Sequence, residues 1–260
     1  MSRISPLAGA LCALLLTTGA PVPAAAQNQR LADLPAGQAY GACMALVEKN
    51  PADGFEAAIA WRDEGGGPAA QHCSAMALVN LGQFADAASR LEGLADSMKD
   101  YSAAERAAVL GQSGRAWHRA GQSERAVAVL TIAINLVPGD AELRIDRGEV
   151  LATTGKFWEA IDDFNIALEL APQNIDALIF RGAAYRLLDT PELARVDLET
   201  VLARKPDQPD ALVEMGAVAL QEGKRDAARQ YWLHAIRVAP KAASADAARR
   251  WLERLDVKTK

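Results

Sequence analysis

The side chains best suited to chemistry in this chain are two cysteines and a histidine: Cys43, Cys73 and, beside the second, His72. Thiolate and imidazole could ligate a metal, or two thiols could exchange electrons. A zinc site wants four ligands at recognisable spacing, and the further ligands are missing. A redox pair is usually Cys-x-x-Cys, which is absent. Two structural readings stand beside these: a disulfide between the first two helix pairs, and two separate thiols. His118 and His234 stand alone. There is no His-Glu-x-x-His, no glycine-rich phosphate loop and no Gly-x-Ser-x-Gly. Asp162 and Asp163 are adjacent acids, but neighbours on a helix point about 100° apart, so they are not an acid–base pair. Carboxylates on helical repeats are mostly solvated. No catalytic residue, cofactor or metal is assigned.

The start of the chain favours the disulfide. Arg3 is the only charge before Arg30, and Leu7 to Leu16 is apolar apart from one glycine. Pro21, Pro23 and the run "AAAQ" follow. A cation, a short apolar run and a small-x-small site read as a secretory signal peptide over 1–26, cleaved after Ala26. An uncleaved anchor is the competing reading, but a span wants about 20 apolar residues. Leu11, before Cys12, is not the small residue a lipoprotein signal needs. After cleavage Cys43 and Cys73 are the remaining pair, and an even pair in an exported chain reads as a bridge. It would close a loop of about 30 residues and contribute roughly 3–4 kcal/mol. The expected location is a bacterial periplasm, from the signal type and the alanine-rich, lysine-poor composition. The membrane enters only during export.

The chain has 28 Lys+Arg against 33 Asp+Glu, a formal net charge of −5. That balance, with no basic run, argues against nucleic acid, whose binding rests on neutralised phosphates. Aromatics make up 5% of the chain and alanine is abundant, which favours close helix packing over a sheet.

The elements that position these residues repeat. Pro138, Pro172, Pro206 and Pro240 stand 34 residues apart. Gly114, Gly148, Gly182 and Gly216 keep the same interval, as do Ala126, Ala160, Ala194 and Ala228. A bulky column holds Leu130, Phe164, Leu198 and Trp232, and a small one Ala133, Ala167, Val201 and Ala235. Each unit reads as two helices. In the second unit Phe157, Ala160, Ile161, Phe164, Ala167 and Leu168 fall three or four apart on one face. Gly121, Gly155 and Gly223 can take the left-handed conformation that ends a first helix. Asp189 holds that place in the third unit, and Asp tolerates it. Thr190-Pro191 reads as an N-cap followed by proline in the first turn. Gly148 and Ala160 are the small residues a close helix crossing needs.

This pattern resembles the tetratricopeptide repeat family in its period, glycine, paired alanines, bulky residue and closing proline. The resemblance covers 107–240. It departs at the early aromatic place, where Leu110, Arg144, Leu178 and Leu212 stand. "LGQFADAASRLEGLA" mirrors "TGKFWEAIDDFNIAL" with about five residues inserted around Ser97 to Ala103. The implied organisation is a flexible linker over 27–37, degenerate helical repeats over 38–106, four units (107–140, 141–174, 175–208, 209–242) and a capping helix over 241–257. The implied fold is an all-α, right-handed superhelical solenoid of antiparallel helix pairs. The cap has a reason: the last unit would otherwise expose an apolar face.

The resemblance implies a scaffold for a protein or peptide, with the first helix of each unit lining an inner groove. Carried over residue by residue, the lining is Arg115, His118 and Arg119; then Glu142, Asp146 and Glu149; then Ile179, Ala183, Arg186 and Leu187; then Val213 and Ala217. Gly111, Ile145, Asp176, Asp210 and Leu220 belong to the same sets. The expected gradient runs from basic through acidic to apolar, with the end helix and Trp251 able to fill the apolar end. The Lys and Asn clamp for a terminal carboxylate is absent. The expected function is an exported scaffold in envelope assembly or maintenance. A structural subunit of an envelope complex and a thiol or redox factor are the alternatives.

Overall fold

The computed structural model describes residues 30–257, and their regular structure is helical throughout. The expected signal segment lies outside the described residues. Helix pairs follow one another: α1 (Ala36–Lys49) with α2 (Pro51–Trp61), α3 (Gly67–Asn80) with α4 (Phe84–Ser97), and α5 (Ala103–Arg119) with α6 (Ser123–Leu136). Then come α7 (Ala141–Thr153) with α8 (Phe157–Leu170), α9 (Ile175–Leu187) with α10 (Pro191–Arg204), and α11 (Pro209–Gln221) with α12 (Arg225–Val238). The last helix is α13 (Ala243–Val257), which starts in the register of a first helix.

The helix ends follow from the sequence. Asp140 caps α7 by accepting the Glu142 amide at 2.9 Å, and Asn174 caps α9 by accepting that of Ala177 at 3.0 Å. Gly121, Gly155 and Gly223 have φ of 75°, 79° and 78°, and Asp189 has 57°. The amide three places past each helix reaches back to the carbonyl of Trp117, Leu151, Tyr185 or Ala219, closing the turn. One cap differs from expectation. The Thr190 side chain does not cap α10; its hydroxyl donates to the Tyr185 carbonyl at 2.8 Å. That oxygen, at the end of α9, also accepts the Thr190 amide, so backbone and side chain of one residue close the turn together.

Two boundaries also differ. The linker expected over 27–37 folds earlier, because Leu31 and Leu34 pack on the cluster around Cys43, Val47 and Trp61. Leu31–Asp33 forms a 3-10 turn there. Near Ser97 the chain turns over residues 98–102, and most of the extra length goes into the helix that follows. α5 is 17 residues long, where α7, α9 and α11 are 13. Ser102 and Glu105 cap each other reciprocally at its start, so the extra turn has its own N-terminus.

The solenoid is right-handed and superhelical. Each helix packs on its neighbours in sequence, and in addition α5 meets α7, α7 meets α9, α9 meets α11 and α11 meets α13. First helices therefore crowd together on the inside of the curve. The glycine column explains the tight pairing. A β-carbon on Gly114 would strike Leu130, one on Gly148 would strike Phe164, and one on Gly216 would strike Trp232. The glycine thus answers the bulky residue of its own unit, and Phe164 reaches the next unit through Phe180, ring centroids 5.9 Å apart.

A second set of columns escapes the sequence reading. Arg147 donates to both oxygens of Asp163, each at 2.7 Å, and to Thr131 of the preceding unit at 3.0 Å. Arg181 repeats this with Asp197 (2.8 and 2.7 Å) and Asn165 (2.7 Å). Asp163 is 2% exposed and also accepts from Arg144. It is not part of a solvated pair with Asp162, which is exposed. Each arginine ties three helices together through planar, bidentate geometry.

Candidate functional site: the inner face

The twelve residues carried over to the groove separate into three groups. Ile179, Val213 and Ala217 are 4%, 6% and 3% exposed, so they mainly fill the stack. Arg119 is exposed, but its guanidinium lies 4.0 Å over the Phe84 ring, towards the start of α4 rather than along the inner face. The cation–π contact turns it aside. His118 is half-buried, and its Nδ1 is sealed without a protein partner. The rest share one region. Arg115 pairs with Asp146, and Glu142 accepts from Asn174 at 2.9 Å. Arg186 pairs with Glu214 at 2.7 Å. Glu149 and Ala183 are half-buried, and Leu187 is exposed.

The expected gradient is therefore corrected. Its basic start is cancelled, since Arg115 is spent on Asp146 and Arg119 faces elsewhere. Acid dominates the middle. Burial chiefly, helped by repulsion from Glu149 and Glu142, raises the Asp146 carboxyl to about 6 against the pull of Arg115.

The far end is not plugged by Trp251. That ring stacks on Trp232, centroids 5.5 Å apart and planes 7° from parallel, on the α12 side. A cavity of about 360 Å³ stays open between α9, α11 and α13, lined by Ile179, Phe180, Ala183, Val213, Ala247 and the charged Asp210, Glu214 and Arg250. Phe180 and Glu214 escape the sequence reading, although they occupy the same 34-residue column as Asp146. That column is carried over in one unit only.

A larger cavity of about 520 Å³ opens at the other end, between α1, α3 and α5. Met98, Tyr101 and Val109 supply apolar wall, and His72 supplies polar floor. His72 bonds Tyr40 through Nδ1 (3.0 Å) and Gln112 through Nε2 (2.6 Å). Its neighbour Cys73 points instead into the buried cluster around Cys43, Val47 and Trp61. Cys73 and Cys43 are fully buried with α-carbons 6.3 Å apart, within reach of a disulfide joining α3 to α1. Among the described residues, no cluster of three or more His, Cys, Asp or Glu side chains is placed to hold a metal. Among them too, no helix is long and apolar enough to cross a membrane.

Residues 113–175 match the tetratricopeptide repeat family. RNA polymerase II-associated protein 3 of Mus musculus is 31% identical over 111 residues, which is 43% of this chain and 17% of that protein. Hsc70-interacting protein 1 of Drosophila melanogaster is 40% identical over 75 residues, 29% of this chain and 20% of that protein. The chain thus spans about a fifth of the length of these curated relatives. A thermophilic tetratricopeptide repeat protein from Thermus thermophilus superposes with a TM-score of 0.59 at 19% identity, over 72% of this chain and 98% of that one. The fold is that of a tetratricopeptide repeat array.

Proposed function

We propose that this chain is an exported scaffold that holds an extended segment of a partner protein along its inner face, in bacterial envelope assembly or maintenance. The open cavity across α9, α11 and α13 carries the reading: it offers partly accessible apolar wall at Phe180, Ala183 and Ala247 on the concave side of a rigid stack. Names among the relatives support it by analogy, since one is an Hsc70-interacting protein. Export is supported by the sequence before Arg30 and by the facing cysteines. Burial weighs against the thiol or redox alternative, since both cysteines are sealed from water and exchange needs an accessible thiolate.

The test places a photo-crosslinking residue at Ala183 or at Trp158 in the full-length protein, expressed in its native host. A discrete polypeptide adduct from Ala183, absent from Trp158 and lost with Ala247→Arg, a half-buried change in the cavity wall, supports the groove. Adducts from Trp158 alone would favour the second reading, a subunit covered on its outer side. One observation gives that reading weight: Ile132, Trp158 and Val196 are 53%, 61% and 61% exposed on second helices.

A further inference from the structure

We propose that the inner face selects a cationic segment, with lysine or arginine at its centre and an apolar side chain at each end. This rests on the groove reading above and names its partner chemistry. Three observations carry it. First, the inner columns of the last three units hold six carboxylates: Glu142, Asp146, Glu149, Asp176, Asp210 and Glu214. Second, the cations placed among them are fewer and mostly committed. Arg115 is held by Asp146 and Arg186 by Glu214, leaving Arg250 at the edge of the far cavity. Glu149, Asp176 and Asp210 outnumber the guanidinium groups left beside them.

Third, the acidic stretch lies between two cavities of different chemistry. The cavity at Met98 and Tyr101 sits between α3 and α5, and the cavity at Phe180 and Ala183 sits beyond α9. Three helix spacings of roughly 8–10 Å separate them. An extended chain crosses that distance in about eight residues. A segment of this length could bury an apolar side chain in each cavity while its long cationic side chains lie over the carboxylates. An acidic segment would meet like charge along the same path.

The test uses the full mature chain and three synthetic extended peptides. Each carries a Leu-Phe pair at both ends, with a spacer of lysines, glutamates or serines. Binding is read by fluorescence anisotropy. The expected result is that the lysine peptide binds tightest and weakens at higher salt. The paired change Glu149→Lys and Asp176→Lys should cost about ten-fold in affinity. Glu159→Lys and Asp162→Lys, exposed on α8, should change it little. If the double reversal loses helicity, Glu149→Gln with Asp176→Asn replaces it. Equal binding of the serine and lysine peptides, or equal loss from inner and outer reversals, overturns the charge inference. The groove reading survives that result if Ala183→Arg still abolishes binding. If no peptide shows binding sensitive to Ala183→Arg, the groove reading falls, and this inference with it.

Discussion

A β-carbon built on Gly148 would sit 2.5 Å from the ring of Phe164, closer than real contacts allow. At Gly182 the same test finds Leu198 at 3.2 Å, a tight but softer neighbour. Gly148→Ala should therefore lower stability by about 1–3 kcal/mol through overpacking, less the roughly 0.5–1 kcal/mol that alanine returns in a helix. Gly182→Ala should cost markedly less. Chemical denaturation of both variants decides it; equal losses would mean that the column is not tuned to its bulky partner.

Removing one end of a buried ion pair leaves the other uncompensated. Asp163→Ala strands Arg147 and Arg144 and should cost about 3–5 kcal/mol. Changing Arg147 and Asp163 together to Met and Leu should cost much less than that. A double variant as unstable as Asp163→Ala alone would show that packing, not charge, holds this joint.

Asp146 gives stability a pH dependence of unusual sign. An ordinary aspartate titrates near 3.8, and here the folded carboxyl holds its proton to about 6. The folded state thus binds more protons between those values, so this group subtracts stability as pH rises through them. The full difference is at most about 3 kcal/mol. Asp146→Asn should be more stable than the parent above pH ~7 and nearly equal to it near pH ~4. The gain is reduced by the lost pairing with Arg115. A variant less stable than the parent at neutral pH would show that the Arg115 pair outweighs burial.

Cys43 and Cys73 should carry a disulfide in exported protein. Mass analysis of unreduced peptides should find them joined, and reduction should lower stability by about 3 kcal/mol, mainly in α1 and α2. Two free thiols in protein recovered after export would sink both the bridge and its support for the periplasm.

Much of this fold is legible in the sequence because its physics is local and repeated. Asp189 reads as a left-handed residue from its column alone, and its φ is positive. Trp232 reads as a packing residue from its bulky column and is fully buried. The Asp163 network is not legible in the same way, since an acid on a helix gives no sign of burial by itself. The sign lies in register: Arg147 and Arg181 stand one period apart, as do Asp163 and Asp197. The groove is less legible. Its charge depends on which cations are already paired, and Arg119 and Arg115 find partners on other helices. The cavity at Tyr40 and His72 depends on α1 and α3, where the repeat pattern is weakest.

The stacked rings of Trp232 and Trp251 make the cap visible to light. Two indoles 5.5 Å apart and nearly parallel are coupled oscillators, and their ultraviolet transitions mix. That coupling exists only while α13 lies against α12. Its circular dichroism should vanish when the last helix peels away, even if every other helix keeps its peptide signal. Trp61, Trp117 and Trp158 have no such mate among the described residues, so they leave the band uncontested. The array therefore carries its own unlabelled gauge of fraying at one end, readable during a thermal ramp or while a ligand is titrated into the neighbouring cavity.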